Sequence, residues 1–483
     1  MLAEGTKNVR YAVRWRVLLK YLGVLGIVLA ALNSVPLGVA VLFGEFEVAG
    51  RYAIVLLALL ALALPLSRMT APGQLQMNEA MTVVVLVFLL GSLVSSYSLG
   101  AASDKWLDSW FEAVSGITTT GLSTMGSVED KPRAFLFARS WMQWYGGLGI
   151  VVLSLVLFLR NSVAARRLMD IEATGETLVS TTQIYARRIA IVYGILTVCA
   201  LTATWLVMDD GFVALLHSLS AVSTGGFSTF DNSLARLEPL AAGVLMGFAW
   251  LGAVSLPLYF LIWQKGPSAL LHDLELRALL IATAVLAGLL YLWLPANGHG
   301  WPDALLMGMS AQSTTGFSTL AVSDLDDASK LAMIGSMLAG GSVGSTAGGF
   351  KLLRLLLLLR LLQLLLARAA APRHAVIEAR LGARRIADED LWRAMLLMVM
   401  FMLLIFLSWL AFVAHGYPPL DALFEVVSAS ATVGLSTGIT RPDLEPFLKV
   451  LLCFDMLAGR IEIFALLVVL YPGTWFGERS GAL

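Results

Sequence analysis

Long apolar runs separated by short polar patches dominate the chain, near residues 17–43, 50–67, 80–99, 135–159, 188–207, 240–263, 278–295, 331–366, 394–413 and 447–470. A helix needs about 20 apolar residues to cross the hydrocarbon core of a bilayer. The pattern therefore predicts an all-α, polytopic membrane protein of about ten transmembrane helices, with both ends of the chain on one side. The first run, near Tyr21 to Phe43, exceeds the core of a signal peptide and lacks a convincing cleavage site, so it reads as a retained span.

Four polar loops between these runs are versions of one another: SGITTTGLST (Ser115 to Thr124), SAVSTGGFST (Ser220 to Thr229), SAQSTTGFST (Ser310 to Thr319) and SASATVGLST (Ser428 to Thr437). With Gly121, Gly226, Gly316 and Gly434 aligned, Thr119, Thr224, Thr314 and Thr432 stand two places earlier. Leu122, Phe227, Phe317 and Leu435 follow each glycine, and then Ser-Thr in every copy. Thirteen places before the glycine stand Asp108, Asp303 and Asp421, with Val213 in the second copy. Each acid opens a run that suits a short helix capped by a carboxylate. The chain divides accordingly into an N-terminal two-helix domain, 1–79, and four repeats of span, half-helix, loop and span at 80–160, 187–264, 276–367 and 391–472.

Irregular backbone at membrane depth is tolerated only where it is buried in protein or lines a water-filled cavity. Four such loops around one axis do both, and their carbonyls can replace the water around a dehydrated cation, glycine allowing backbone conformations that a side chain obstructs. The expected ion contacts are the backbone carbonyls of Thr119, Thr120, Gly121, Thr224, Gly225, Gly226, Thr314, Thr315, Gly316, Thr432, Val433 and Gly434, with Gly225 outside the aligned glycine register. The half-helices would end at the loops and point the negative ends of their dipoles at the cation. Close packing by small residues is the competing reading. Such motifs belong inside continuous apolar helices, and these loops lie outside them.

Composition and charge agree with this frame. With 58% hydrophobic and 14% charged residues, against roughly 25% charged in a typical soluble protein, the chain cannot form a water-soluble globule. Net charge is zero, and the overall balance implies no nucleic-acid partner. Basic residues cluster around the start of the first span (Lys7, Arg10, Arg14, Arg16, Lys20), between the fourth and fifth (Arg160, Arg166, Arg167, Arg187, Arg188) and between the eighth and ninth (Arg368, Arg373, Arg380, Arg384, Arg385). The positive-inside rule places these, and both termini, in the cytosol. All four loops then face outward, with acids such as Asp104, Asp209, Asp210, Asp326, Asp327 and Asp443. Cys199 and Cys453 read as small buried hydrophobes rather than a disulfide or metal ligands. No nucleotide-hydrolysis or metalloprotease motif occurs, so the chain reads as a transport protein and not an enzyme.

Two further segments stand out. AGGSVGSTAGGFKLLR, Ala339 to Arg354, lies within an apolar run of 36 residues, too long for one straight crossing. Gly340, Gly341, Gly344, Gly348 and Gly349 each weaken a helix by about 1 kcal/mol relative to alanine, so a broken helix is expected, with Lys351 near the break. In MLAGRIEIF, Met456 to Phe464, Arg460 lies inside an apolar stretch, where arginine costs about 2.5 to 3.5 kcal/mol. It should face the bundle interior or pair with Glu462 or Asp455. Glu112, His217 and Glu425, nine places before their glycines, give way to Met307 in the third copy. That replacement argues against an ion-binding ring and for hydrogen bonding within the half-helix layer. Trp141, Trp144, Trp250 and Trp409 read as interface anchors or packing.

On these residues the chain resembles the Trk/Ktr/HKT superfamily of potassium transporters, and its TrkH-like members in particular. The likeness runs from about residue 80 onward, and two extra N-terminal spans match the TrkH-like pattern. The resemblance implies potassium uptake across the bacterial cytoplasmic membrane. One glycine per repeat governs potassium selectivity in that family, a serine in the first repeat going with sodium transport in some plant members. All four positions here are glycine. The loops lack the second glycine of the TVGYG filter, which implies fewer ion sites and looser selectivity. By the same resemblance Gly340, Gly341, Gly344, Gly348, Gly349 and Lys351 belong to an intramembrane gating loop, with Arg460 facing it across the pore. It further implies a homodimer with one pore per protomer, no covalent cofactor, potassium as the bound ion, and a cytosolic nucleotide-binding regulatory subunit of the TrkA type. The basic stretches 160–188 and 368–393 are its expected docking surfaces. The alternatives are a sodium-selective or cation-coupled transporter of the same architecture, or a secondary transporter of an organic solute.

Overall fold

Lipid offers no partner to a backbone amide or carbonyl, so a run of spanning length folds as a helix wherever no residue forbids it. The structure, a computed structural model, describes residues 12–70, 75–102, 105–158, 178–294, 300–372, 380–381, 384–385 and 388–476. Helices α1 (Trp15–Leu42) and α2 (Phe46–Ser67) pack along each other. The first repeat comprises α3 (Met77–Leu99), half-helix α4 (Trp106–Ile117) and exit helix α5 (Arg133–Phe158). The second comprises α6 (Leu178–Val207), half-helix α7 (Gly211–Val222) and an exit helix in two pieces, α8 (Pro239–Gly252) and α9 (Leu256–Lys265). After the short α10 (Ser268–His272) come α11 (Leu274–Trp293), half-helix α12 (Trp301–Ser313) and the broken exit helix α13 (Asp327–Ala339) and α14 (Leu352–Ala370). The fourth repeat is α15 (Asp388–Ala414), half-helix α16 (Pro419–Ser430), α17 (Pro446–Ile461) and α18 (Ile463–Leu470). Among the described residues the one strand pairing is a two-residue antiparallel match of Arg380–Leu381 with Arg384–Arg385. Of the expected charge clusters, Lys7, Arg10, Arg160, Arg166, Arg167, Arg373 and Asp104 lie outside the described residues.

Among the described residues six helices are long and apolar enough to cross a membrane, and α8 with α9, bent by 84°, is apolar enough to make a seventh. The chain is a multi-pass membrane protein. Its exit helices arrange the four repeats in a circle: α5 packs on α7, α8 on α12, α13 on α16, and α17 on α4. The fourth contact returns to the first repeat and closes the ring.

Three exit helices break at one level, 27 to 29 residues after Gly226, 24 to 35 after Gly316 and 28 after Gly434, whereas α5 runs through the equivalent Gly149. The break in the third repeat follows from its glycines. Those in runs 240–263 and 447–470, expected as continuous spans, are corrections. Pro257 accounts for the second-repeat break: it has no amide proton, and its ring clashes with the carbonyl of Ala253 four residues earlier. In the fourth repeat the break is at Glu462, whose φ of 64° lies in the left-handed region.

The acids thirteen places before the glycines also differ from expectation. Asp108 and Asp421 do not cap their helices. They sit in the first turn and pair with a lysine from the preceding repeat's exit helix, Asp108 with Lys449 at 2.5 Å and Asp421 with Lys330 at 2.9 Å. Asp303 alone behaves as an end cap, its carboxylate accepting from the Gly300 amide at 3.3 Å. In the second repeat, Asp210 caps α7 by accepting from the amides of Phe212 and Val213. Cys453 is buried as expected, but Cys199 lies on an exposed helix face. The tryptophans pack: Trp141 stacks on Trp144 with centroids 5.0 Å apart, and the indoles of Trp250 and Trp409 donate to Thr283 and the Pro419 carbonyl.

Candidate functional site

Each half-helix spans 12 or 13 residues, about 18 Å at 1.5 Å per residue, and so reaches roughly halfway through a membrane. Its last carbonyls lack helical partners, and the loop supplies them in the same way four times. The amides of Thr120, Gly225, Thr315 and Val433 donate to the carbonyls of Ser115, Ser220, Ser310 and Ser428 at 2.8 to 3.0 Å. Those of Thr119, Thr224, Thr314 and Thr432 donate to Gly116, Ala221, Ala311 and Ala429 at 2.9 to 3.3 Å. With the amides committed backward, the carbonyls face elsewhere. Among the described residues no hydrogen bond reaches the carbonyls of Thr119, Thr120, Gly121, Thr314, Thr315, Gly316, Thr432, Val433 or Gly434.

Backbone conformation explains how they point. Thr119, Thr224, Thr314 and Thr432 have φ of 51° to 55°, and Gly121, Gly226, Gly316 and Gly434 have φ of 74° to 99°, while the residue between them stays on the ordinary side. Successive carbonyls in an extended strand alternate in direction; inserting a left-handed residue at every second place turns them to the same side. For a β-branched threonine this conformation is an outlier, costing about 1 to 3 kcal/mol. It occurs four times.

The loops also interlock. A Cβ added at Gly121 would fall on the carbonyl oxygen of Gly225, one at Gly226 on that of Thr315, one at Gly316 on that of Val433, and one at Gly434 on that of Thr120. The sequence of contacts runs once around the four repeats and returns to its start. Twelve residues expected from the sequence are thus brought together in one ring. Gly225 differs from its counterparts: the Gln143 side chain donates to its carbonyl and accepts from the Phe227 amide at 3.1 Å.

Residues 340–351 form an irregular segment against the deep side of the ring. Gly348 donates its amide to the Thr314 hydroxyl at 2.6 Å, and a Cβ on Gly348 would meet the Ala431 carbonyl and the Thr432 hydroxyl. Thr346 donates its hydroxyl to the carbonyls of Val222 and Gly252 at 3.2 and 3.0 Å and meets the Thr224 hydroxyl at 3.3 Å. The segment therefore touches three of the four loops. Backbone bonds fasten it to the break between α8 and α9: Ser342 and Thr346 donate to Ala253 and Gly252, and Leu256 donates to Gly344. The carbonyls freed by Pro257 and the polar backbone of a glycine-rich segment satisfy one another.

Arg460 reaches this segment, its Nη1 donating to the Thr346 carbonyl at 2.7 Å, and it is only 4% exposed. The alternative ion pair is not formed. Glu462 pairs with Arg354 at 2.8 Å, and Asp455 accepts from the Ser408 hydroxyl at 2.8 Å. Gly340, Gly344 and Gly349 have φ of 66° to 76°, and Lys351, at 72°, donates to the Ala347 carbonyl. Gly341 accepts from the Leu352 amide at 3.0 Å. Glu112, His217 and Glu425 are fully buried in the half-helix layer and engage Ser123, Ser228 and Ser436.

Sequence reasoning missed Gln143, Thr346, the fourth-repeat break at Glu462 and the second-repeat break. Pro257 inside an apolar run was a usable signal for the last. Nothing local marks Gln143 or Thr346, whose partners lie in other repeats.

The chain matches the TrkH family, described as cation transport protein, over residues 51–472. It is 30% identical over 407 residues to an uncharacterized cation transporter of Methanocaldococcus jannaschii, covering 84% of each chain. It is 29% identical over 428 residues to the Trk system potassium uptake protein TrkH of Escherichia coli K12, covering 83% of this chain and 87% of that one. The crystal structure of the potassium transporter TrkH from Vibrio parahaemolyticus shares the fold, with a TM-score of 0.85 at 24% identity, over 96% of this chain and all of that one. The chain belongs to the TrkH family of cation transport proteins.

Proposed function

We propose that this chain forms the pore of a potassium uptake system in the cytoplasmic membrane, its four loops acting as one selectivity filter. The observation that carries this reading is the closed circuit of glycine-to-carbonyl contacts from Gly121 through Gly226, Gly316 and Gly434 back to Thr120. A cation losing its hydration shell needs oxygens from all sides, and backbone carbonyls free of other hydrogen bonds supply them. The half-helices, whose C-terminal ends adjoin the ring, add the negative ends of their dipoles. Segment 340–351 with Lys351 and Arg460 acts as the gate, since it closes against the ring's deep side. The relatives named for potassium uptake support potassium as the ion. The family resemblance further suggests a homodimer regulated by a cytosolic nucleotide-binding subunit, and the clustering of basic residues supports termini in the cytosol. Flux into proteoliposomes loaded in turn with potassium, rubidium, sodium and lithium tests the proposal. Potassium and rubidium should be carried and lithium excluded; equal rates for all four overturn the filter.

A further inference from the structure

Beyond each loop glycine the chain must leave the ring in a fixed direction. The next residue is anchored by burial: Leu122, Phe227, Phe317 and Leu435 are at most 2% exposed. The serine after it is gripped from behind in three repeats. Ser123 donates to Glu112. Ser228 donates to His217 Nε2 at 3.0 Å, the tautomer being fixed because Nδ1 lies 2.9 Å from the Val213 carbonyl, which can only accept. Ser436 donates to Glu425. In each of these, the serine oxygen also accepts from the amide two residues on, Met125, Phe230 or Gly438, at 2.9 to 3.1 Å.

The grip in the fourth repeat is the most informative. Glu425 is fully buried and has no ion-pair partner among the described residues. Its carboxylate accepts from the hydroxyls of Ser436, Thr437 and Thr440 and from the amides of Thr437 and Ile439, at 2.5 to 3.3 Å. Every donor belongs to the segment leaving the ring. Burying a carboxylate without a counter-charge costs several kcal/mol before such bonds offset it, and the third repeat fills the same place with Met307 at no such cost. There Ser318 is held by the second repeat, its amide donating to the Ser233 hydroxyl at 3.1 Å and its carbonyl accepting from Leu234 at 3.0 Å.

We infer that Glu425, with its counterparts Glu112 and His217, is a positioning residue for ion selection: by holding the serine two places after the glycine it fixes the width of the carbonyl ring. This rests on the reading of the ring as a filter. None of the three touches the ion; each acts through its serine.

The test compares Glu425→Gln, Ser436→Ala, the double variant, Met307→Leu and Gly434→Ser in proteoliposomes, reading the potassium-to-sodium flux ratio together with the thermal unfolding midpoint. Glu425→Gln and Ser436→Ala should each lower the ratio by about three- to tenfold, the range of one ordinary net hydrogen bond. The double variant should fall no further than the larger single change, because both remove the same link. Met307→Leu should leave the ratio unchanged. Should Glu425→Gln fail to fold, Ser436→Ala decides alone, since it deletes one hydroxyl. A folded Ser436→Ala protein with the wild-type ratio overturns the inference if Gly434→Ser alters that ratio. If Gly434→Ser leaves it unaltered too, the filter reading falls instead.

Discussion

A threonine with φ near 55° is uncomfortable, and this chain holds one in the same place in every repeat. Strain that recurs fourfold points to what the backbone must do there, which is to turn neighbouring carbonyls to one side. The glycine two residues on is bound more tightly still, by conformation and by the next repeat's oxygen. Gly316→Ala should therefore abolish potassium-dependent protection against thermal unfolding. Gly243→Ala, in α8 with open space where the methyl would go, should be neutral or raise stability by about 0.5 to 1 kcal/mol. Equal behaviour of the two variants would contradict the interlocked ring. The loop glycines were legible because they align without gaps. Gly225 was less so: in the sequence it looks like a spare glycine, whereas in the fold a Cβ there would overlap Gln143.

At the scale of elements, the exit helices illustrate where sequence reading succeeds. Five glycines in ten residues cannot hold a helix, so the break at 340–351 was visible. Pro257 offered a weaker cue inside a run that hydropathy alone called continuous. Glu462 offered none, because glutamate is a good helix former and its left-handed backbone comes with a tertiary ion pair to Arg354. On the gating role proposed for segment 340–351, these contacts imply a division of labour. Arg460→Ala removes a bond to the Thr346 carbonyl and a positive charge beside the proposed conduction path, where it would repel a cation in a low-dielectric site. Basal flux without the regulatory subunit should rise, as it should on deleting several residues within 340–349. Arg460→Lys should stay nearer wild type. Glu462→Ala frees Arg354 rather than Arg460, so its effect should differ from that of Arg460→Ala. Unaltered flux from a well-folded Arg460→Ala protein would remove the barrier from the account.

Over the whole molecule, the circle of repeats is fastened by apolar packing, by a half-buried bridge of Lys330 to Asp421 and by a buried one of Lys449 to Asp108. The latter joins residues 341 positions apart, so the acids were visible in the sequence but their partners were not. Removing one member of a buried pair strands the other: Lys449→Met should cost about 3 to 5 kcal/mol, seen as a lower unfolding midpoint. Asp108→Leu with Lys449→Met should recover most of the loss, because an apolar pair of similar volume can replace a buried bridge. Failure of the double variant to recover would assign Asp108 a role beyond fastening.

The clasp of Gln143 on the Gly225 carbonyl has a geometric consequence. Four separate copies of one subunit impose equal quadrants, so a side chain that grips one carbonyl must grip all four. A circle closed by a single polypeptide is free of that rule. At the level of Gly225, the carbonyls of Thr120, Thr315 and Val433 accept no hydrogen bond among the described residues while the fourth divides its charge with an amide, and the ring is lopsided. A substitution at Gln143 alters one quadrant and leaves three as they were, so such a protein can be adjusted in quarter steps.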